Sequence, residues 1–430
     1  MADSKIVPGG QSIGMCRRYM TALAGFALTG LATPVFAQAP ISVEGIDGRT
    51  PEEYRPVPIR VNAFELNPFV DIGTEFVDNI FATNANTAND TILSIIPGLN
   101  IRDRRDDRQL AMRLRAGYET YLEDSIDDRL RLEATGTARF GLGTLTRTFA
   151  GLNVRQNDLQ SGGYSGVGTI GQPISLTSFG GNLGFERDIG RLIVTAEGLY
   201  RGTRYDGNFI LDDIILDSGL RDFDVFTGRG RLGYNIDAIQ RVYSEVSYSQ
   251  RDFDDLTNNI NVPELLRGDR SSDDVTIRAG YVRQLTDLLQ LDTNIGYIFR
   301  EFADDAIGST GAVSFDTRLN WSPSRLTDVE FRGSRSVDTN NDPLFSGLLR
   351  TEGAVAVQHE LRRNIILGAD ARYSDVDLEG RNGSEFAIGA SGRYLVNRKW
   401  SLRLRGEYFE RDGFFPGNQT RVTLGARYNF

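Results

Sequence analysis

From Phe64 to the C-terminus the chain is written in segments that alternate apolar and polar residues, each bounded by turn-forming residues. Over 399 to 412, Trp400, Leu402, Leu404 and Tyr408 fall on one face, and Ser401, Arg403, Arg405 and Glu407 on the other. Over 287 to 303, Leu289, Leu291, Ile295, Tyr297 and Phe299 oppose Gln290, Asp292, Asn294 and Arg300. The last segment sets Val422, Leu424, Ala426, Tyr428 and Phe430 against Arg421, Thr423, Arg427 and Asn429. Period-two amphipathy over such lengths predicts strands with one face in lipid and one in water. About eighteen such segments follow one another, the first over 64 to 82 and the last over 416 to 430, with sixteen as the alternative count. Very short turns such as Arg187 to Gly190 alternate with longer loops such as 159 to 173 and 255 to 270. The expectation is an all-β, antiparallel, up-and-down transmembrane barrel with short periplasmic turns, longer extracellular loops and both termini in the periplasm.

The N-terminal stretch is of a different kind. Arg17 and Arg18 precede an apolar run from Tyr19 to Leu31, and Pro34 to Ala39 follows with small or β-branched residues at the cleavage positions. Residues 1–37 read as a signal peptide with Gln38 as the mature start; residues 1–14 read as an upstream extension, with Met15 as an alternative initiator. Residues 38–63, which carry Pro40, Pro51, Pro56 and Pro58, read as a periplasmic lead-in, and 64–430 as the barrel.

Composition narrows the chemistry. Past residue 40 no apolar run approaches the roughly eighteen residues of a spanning helix. The net charge is −10, which speaks against nucleic acid as a partner. The one cysteine, Cys16, lies in the leader, so the mature chain has no thiol chemistry. Histidine occurs once, as His359, at the periplasmic end of its segment rather than among the outer loops, and no serine can be placed beside it as a nucleophile. With no clustered His or Cys, neither metal nor other cofactor is expected, and the chain does not read as an enzyme.

Arginine is nearly the only base, since lysine occurs only at Lys5 and Lys399. Alternation assigns to the inner face Arg113, Arg115, Arg131, Arg139, Arg201, Arg229, Arg231, Arg278, Arg300, Arg332, Arg372, Arg393, Arg403, Arg405, Arg421 and Arg427. It interleaves them with Glu119, Glu133, Glu186, Glu197, Glu245, Asp292, Glu330, Asp370 and Glu407, giving arginine about a two-to-one excess in a polar interior. Two readings stand side by side: cross-strand ion pairs that stiffen the wall, and a cationic path for anionic solute or polymer. The outer loops are acidic, with Asp124, Asp127, Asp128, Asp206, Asp212, Asp213, Asp217, Asp254, Asp255, Asp304, Asp305, Asp375, Asp377 and Glu379. Such residues keep loops solvated or bridge divalent cations to lipopolysaccharide. Asp78 and Asn79 read as an Asx-type turn.

The stretches Tyr54-Arg55-Pro56, Ile59 to Pro68, Asp78 to Thr83 and Ile96 to Leu99 resemble the opening of the beta-barrel porin type two family. The resemblance covers roughly residues 52 to 430 and implies an outer-membrane channel of the sort often associated with exopolysaccharide export. The expected function is therefore an exit pore for a secreted exopolysaccharide or similar anionic polymer. The alternatives are a general or anion-preferring diffusion porin and a non-conducting surface structural barrel. Expected partners are outer-membrane lipid and lipopolysaccharide, periplasmic polysaccharide-export components, and the barrel assembly machinery. The terminal Phe430 on its alternating strand resembles the signal by which that machinery recognises its substrates.

Overall fold

The computed structural model describes residues 50–430 except 85–86, 104, 124–127, 159–174, 212–213, 254–268, 305–308, 339–347, 379–380 and 414–415. The leader, residues 38–49 of the lead-in and the loop 159 to 173 lie outside the described residues. So do Asp124, Asp127, Asp212, Asp213, Asp254, Asp255, Asp305 and Glu379.

Eighteen long strands follow in sequence. They are β1 (Phe64–Val77), β2 (Asp90–Asp103), β3 (Arg108–Tyr121), β4 (Arg129–Phe140), β5 (Thr146–Asp158), β6 (Ser175–Ile189), β7 (Leu192–Asp206), β8 (Phe223–Asn235), β9 (Gln240–Phe253), β10 (Ser272–Thr286), β11 (Leu289–Phe302), β12 (Ser309–Ser324), β13 (Thr327–Asp338), β14 (Leu348–Arg362), β15 (Ile365–Leu378), β16 (Arg381–Leu395), β17 (Trp400–Asp412) and β18 (Gly417–Asn429). Each pairs antiparallel with its neighbours, and β1 pairs with β18 from Phe69↔Asn429 to Val77↔Arg421. That last ladder closes the sheet, so no edge is left with unpaired backbone. No helix among the described residues is long and apolar enough to cross a membrane; the strands are what crosses.

Connections alternate as the sequence predicts. One end carries tight turns such as Gly190-Arg191, where Gly190 takes φ +63°, a left-handed conformation that favours glycine. The other end carries the longer loops, one of which holds a hairpin of two short strands, Asn208–Leu211 and Ile214–Asp217, that alternation does not reveal.

The outward face is apolar in its middle. Ile72, Leu93, Ile295, Leu404 and Leu424 are all exposed there, as a lipid-facing surface requires. Aromatic rings bound this zone. Tyr118, Tyr248 and Tyr408 mark the long-loop end, their hydroxyls donating to Asp128 (3.0 Å), Asp273 (2.7 Å) and Glu410 (3.2 Å). Trp321, Tyr394 and Trp400 mark the short-turn end, with the Trp400 ring tilted against Tyr428 at 4.9 Å and Tyr428 5.0 Å from Phe430.

Two departures from the sequence reading concern β1. It ends at Val77 rather than running to residue 82, because Asn79 to Thr83 turn away from the ladder. Ahead of it, the described part of the lead-in is not simply extended. Glu52–Tyr54 form a 3-10 turn, and Ile59–Val61 fold back to pair with Phe64 to Leu66. Tyr54 packs on the inward-facing Ile366 and Leu395, so the lead-in lies across the short-turn mouth at β15 and β16.

Candidate functional site

Cross-strand register puts every arginine and acid of the sequence assignment on one face of the sheet. On β3, β4 and β5, Arg113 faces Thr135, Arg115 faces Glu133, and Glu133 faces Arg155. On β16, β17 and β18, Arg393 faces Arg403, Arg405 faces Thr423, and Glu407 faces Arg421. This face is the concave one, because its side chains reach past the adjacent strand. Arg115 on β3 meets Asp71 on β1 at 3.5 Å, and Arg405 on β17 meets Asp370 on β15 at 2.9 Å.

Many of these arginines are held in place by acids. Arg300 donates twice to Asp274 at 2.6 and 2.8 Å, with its side chain 2 % exposed. Arg350 donates to Glu385 at 2.6 Å, also 2 % exposed. Glu245 gathers Arg231 (2.5 Å), Arg278 (3.4 Å) and Arg229 (3.7 Å), and Arg229 also meets Glu197 at 3.3 Å. Glu330 pairs with Arg332 and Arg318, Glu119 with Arg131, and Glu75 with Arg421. Arg427 makes a two-pronged pair with Asp71 at 2.7 and 2.9 Å. Arg405 is clasped by Asp370 and Glu407, which makes it a strut rather than an available cation. Asp292 faces Val282 and Arg318 across its ladders, Arg201 faces Gly180 and Val225, and Arg372 faces Ala354 and Ala387.

Register also adds inner-face residues that alternation passes over: Asp71, Glu75, Asp274, Asp316, Glu352 and Glu385 among the acids, and Arg147, Arg155, Arg318 and Arg350 among the bases. The two-to-one excess of arginine is thereby narrowed over the whole face. It persists on two sectors: β16 to β18, where Arg393, Arg403, Arg405, Arg411, Arg421 and Arg427 share the inner face with only Glu385 and Glu407, and β3 to β5. Arg113, Arg115, Arg129, Arg131, Arg139, Arg147 and Arg155 lie on the inner face of β3 to β5, against only Glu119 and Glu133. Arg113 is bonded to the neutral Asn100 (3.1 Å), and Arg139 has no hydrogen-bond partner among the described residues. Side-chain exposures of 31 % for Arg115, 42 % for Arg131 and 48 % for Arg155 keep this wall open to solvent. On the opposite wall, β12 to β14, Asp316, Asp328, Glu330, Glu352 and Glu360 face inward beside Arg318, Arg332 and Arg350. The inner surface is thus polarised from side to side.

At the long-loop end the segment after β1 folds into the barrel. Val77, Ile80, Ile92 and Tyr121 form a small buried core, and Ala82 packs on the inward-facing Ala387 and Phe409. Arg411 donates to the Ala82 carbonyl (3.0 Å), and the Gln419 amide to the Asn79 carbonyl (2.5 Å). Asp78 and Asn79 do not close a local Asx turn as expected. The Asp78 carboxylate accepts from the Thr420 amide (2.6 Å), and the Asn79 side chain donates to the carbonyls of Thr83 and Asn418, which ties the segment to β18. Opposite, Ser218–Arg221 and the buried Arg270, stacked 4.3 Å over Phe253, pack on the inner face of β7 to β9. A Cβ on Gly417 would come 2.0 Å from the Ala82 carbonyl oxygen. Gly417→Val should therefore push this segment out of the bore and raise single-channel conductance without loss of barrel. Unchanged conductance from a folded variant would mean the segment does not constrict the path.

His359 sits at the short-turn end of β14, where its Nδ1 lies 3.0 Å from the Thr327 hydroxyl on the outward face. No group of His, Cys, Asp and Glu among the described residues is arranged to hold a metal ion.

No curated protein matches the chain. Among solved structures it is similar to OccAB3 of Acinetobacter baumannii, at 13% identity and a TM-score of 0.44, covering 86% of this chain and 100% of that one. It is also similar to OccK2 (OpdF) of Pseudomonas aeruginosa, at 14% identity and a TM-score of 0.45, covering 86% and 98%. The sequence profile of the family described as "Putative beta-barrel porin 2" matches residues 50–430. With nearly all of the chain matched, this protein belongs to that family of outer-membrane β-barrel porins.

Proposed function

We propose that the barrel is an exit channel for a secreted anionic polymer of the exopolysaccharide class, entered from the periplasmic short-turn end and not an enzyme. The observation that carries this reading is the arginine wall of β3 to β5. It runs from Arg129 at the outer end of β4, through Arg115 and Arg155, to Arg139 at the periplasmic end, where Arg147 is held as a strut by Glu186 (2.6 Å) and Asp188 (2.7 Å). A small anion needs one such contact at a time, whereas a polymer with a charge on each repeat can hold several guanidiniums together and be passed along them. An anion-preferring diffusion porin would use the same wall, and the two readings differ in how affinity depends on chain length. The lead-in at the periplasmic mouth suits contact with periplasmic export components, and the exposed Phe430 beside Tyr428 suits recognition by the assembly machinery. Residues 1–37 are taken as the secretion signal.

In planar bilayers the reversal potential should favour anions, and uronate oligosaccharides should block with affinity that rises with length. Arg113→Gln with Arg139→Gln should shift the reversal potential toward cations and flatten the length dependence, leaving the fold intact, because neither residue pairs with a carboxylate. Anion preference with no length dependence would favour the diffusion porin, and no conductance at all the structural barrel.

A further inference from the structure

The periplasmic rim is not uniform in charge. The turns joining β2 to β3, β8 to β9 and β10 to β11 carry Asp106, Asp107, Asp237 and Asp287. The turns joining β12 to β13, β14 to β15 and β16 to β17 carry no acid, and they bring together Arg325, Arg363, Arg398 and Lys399, with Arg362 at the end of β14. Glu53 of the lead-in is the acid that reaches this sector, pairing with Arg363 at 3.4 Å, yet the Arg363 side chain remains 80 % exposed. Arg362 is exposed and bonded to no described residue.

These cations sit beside the protein's two tryptophans. Trp321 and Trp400 face outward at the periplasmic ends of β12 and β17, and Leu326, Leu361, Tyr394 and Val396 are exposed between them. Indole rings settle at the level of lipid headgroups, so the tryptophans set the depth of the guanidinium groups next to them. Guanidinium matches phosphate oxygens in two-pronged hydrogen bonds, and the apolar side chains offer a surface to acyl chains. Arg398 also donates to the Glu53 carbonyl (3.2 Å), but Lys399 lies 6.0 Å from the ring of the outward-facing Tyr428, and a cation on that side at this depth fits a membrane phosphate better than a polymer that travels inside the bore. We propose that the rim from β12 to β17 is a binding site for an anionic phospholipid of the periplasmic leaflet.

The two tryptophans are also the reporters. The whole barrel would be reconstituted in zwitterionic phospholipid containing either brominated phosphatidylglycerol or brominated phosphatidylethanolamine at equal mole fraction, and quenching of tryptophan fluorescence compared. The anionic lipid should be preferred by about fivefold or more. The variant carrying Arg362→Gln, Arg363→Gln, Arg398→Gln and Lys399→Gln should lose that preference, while Arg362→Lys with Arg363→Lys and Arg398→Lys should retain it. Arg187→Gln with Arg191→Gln, on another part of the rim, should leave it unchanged. Equal quenching by the two lipids in the unaltered barrel, or a preference that survives the glutamine variant, would overturn the proposal. Full displacement of the anionic lipid by a soluble uronate oligosaccharide would overturn it in favour of a docking point for the polymer.

Discussion

Arginine in place of Leu404 should lower the stability of the barrel in a bilayer by about 2 to 4 kcal/mol. Leu404 lies near the middle of β17, faces Leu424 and Gly392 across its two ladders, and is 53% exposed to what must be lipid. A guanidinium there has no water to enter and is too far from either headgroup layer to reach it at no cost. The companion variant, Thr423→Arg, puts the same side chain one residue from Leu424 in sequence but on the inner face. There it meets Glu75, whose carboxylate already accepts from the Thr423 hydroxyl (3.1 Å). That variant should lie within about 0.5 kcal/mol of the unaltered protein, as polar surface substitutions usually do. Urea titrations of folding into lipid vesicles give both values, and equal losses at the two positions would show that the faces have been assigned wrongly.

The contrast explains what the sequence made readable. Strand number, connection parity and the face of each residue follow from a period of two, because lipid on one side and water on the other impose it on each strand. Where the inner face is not simply wet, the pattern blurs. Phe69 and Val77 on β1, Ile92 on β2 and Tyr121 on β3 are buried apolar residues facing inward. Val77, Ile92 and Tyr121 are apolar because a folded-in segment packs on them, and alternation cannot announce a loop that enters the bore. The same blurring hid Asp71 and Glu75, which share the inner face of β1 with Phe69 and Val77. Ion pairing was beyond reach for a different reason. Whether Arg405 stands free or is clasped by Asp370 depends on which residues come level two strands apart, and that is set by register along the whole ladder.

The division between struts and available cations leads to the second large effect, at Glu245. Its side chain is 2 % exposed, and it faces Arg231 and Arg278 across its two ladders, with Arg229 approaching from the side. Arg231 donates to one carboxylate oxygen from both Nε (2.8 Å) and Nη2 (2.5 Å), while its guanidinium lies 4.5 Å above the ring of Tyr243. Removing the carboxylate leaves three guanidiniums crowded together, with Glu197 reaching only Arg229. Breaking a buried ion pair from one side costs about 3 to 5 kcal/mol, and water in the bore should hold the loss near the lower figure. Glu245→Ala should therefore lower the urea midpoint and the temperature of heat modification markedly. Added salt should recover part of the loss by screening the exposed excess charge. Glu245→Gln, which keeps the shape and one acceptor, should fall between the two. Arg231→Met in the Glu245→Ala background should restore stability, since it removes a like charge and leaves an apolar chain over Tyr243. If Glu245→Ala is as stable as the unaltered barrel but selects anions more strongly, these arginines belong to the conducting path rather than to the wall, and the cationic surface extends well beyond β3 to β5.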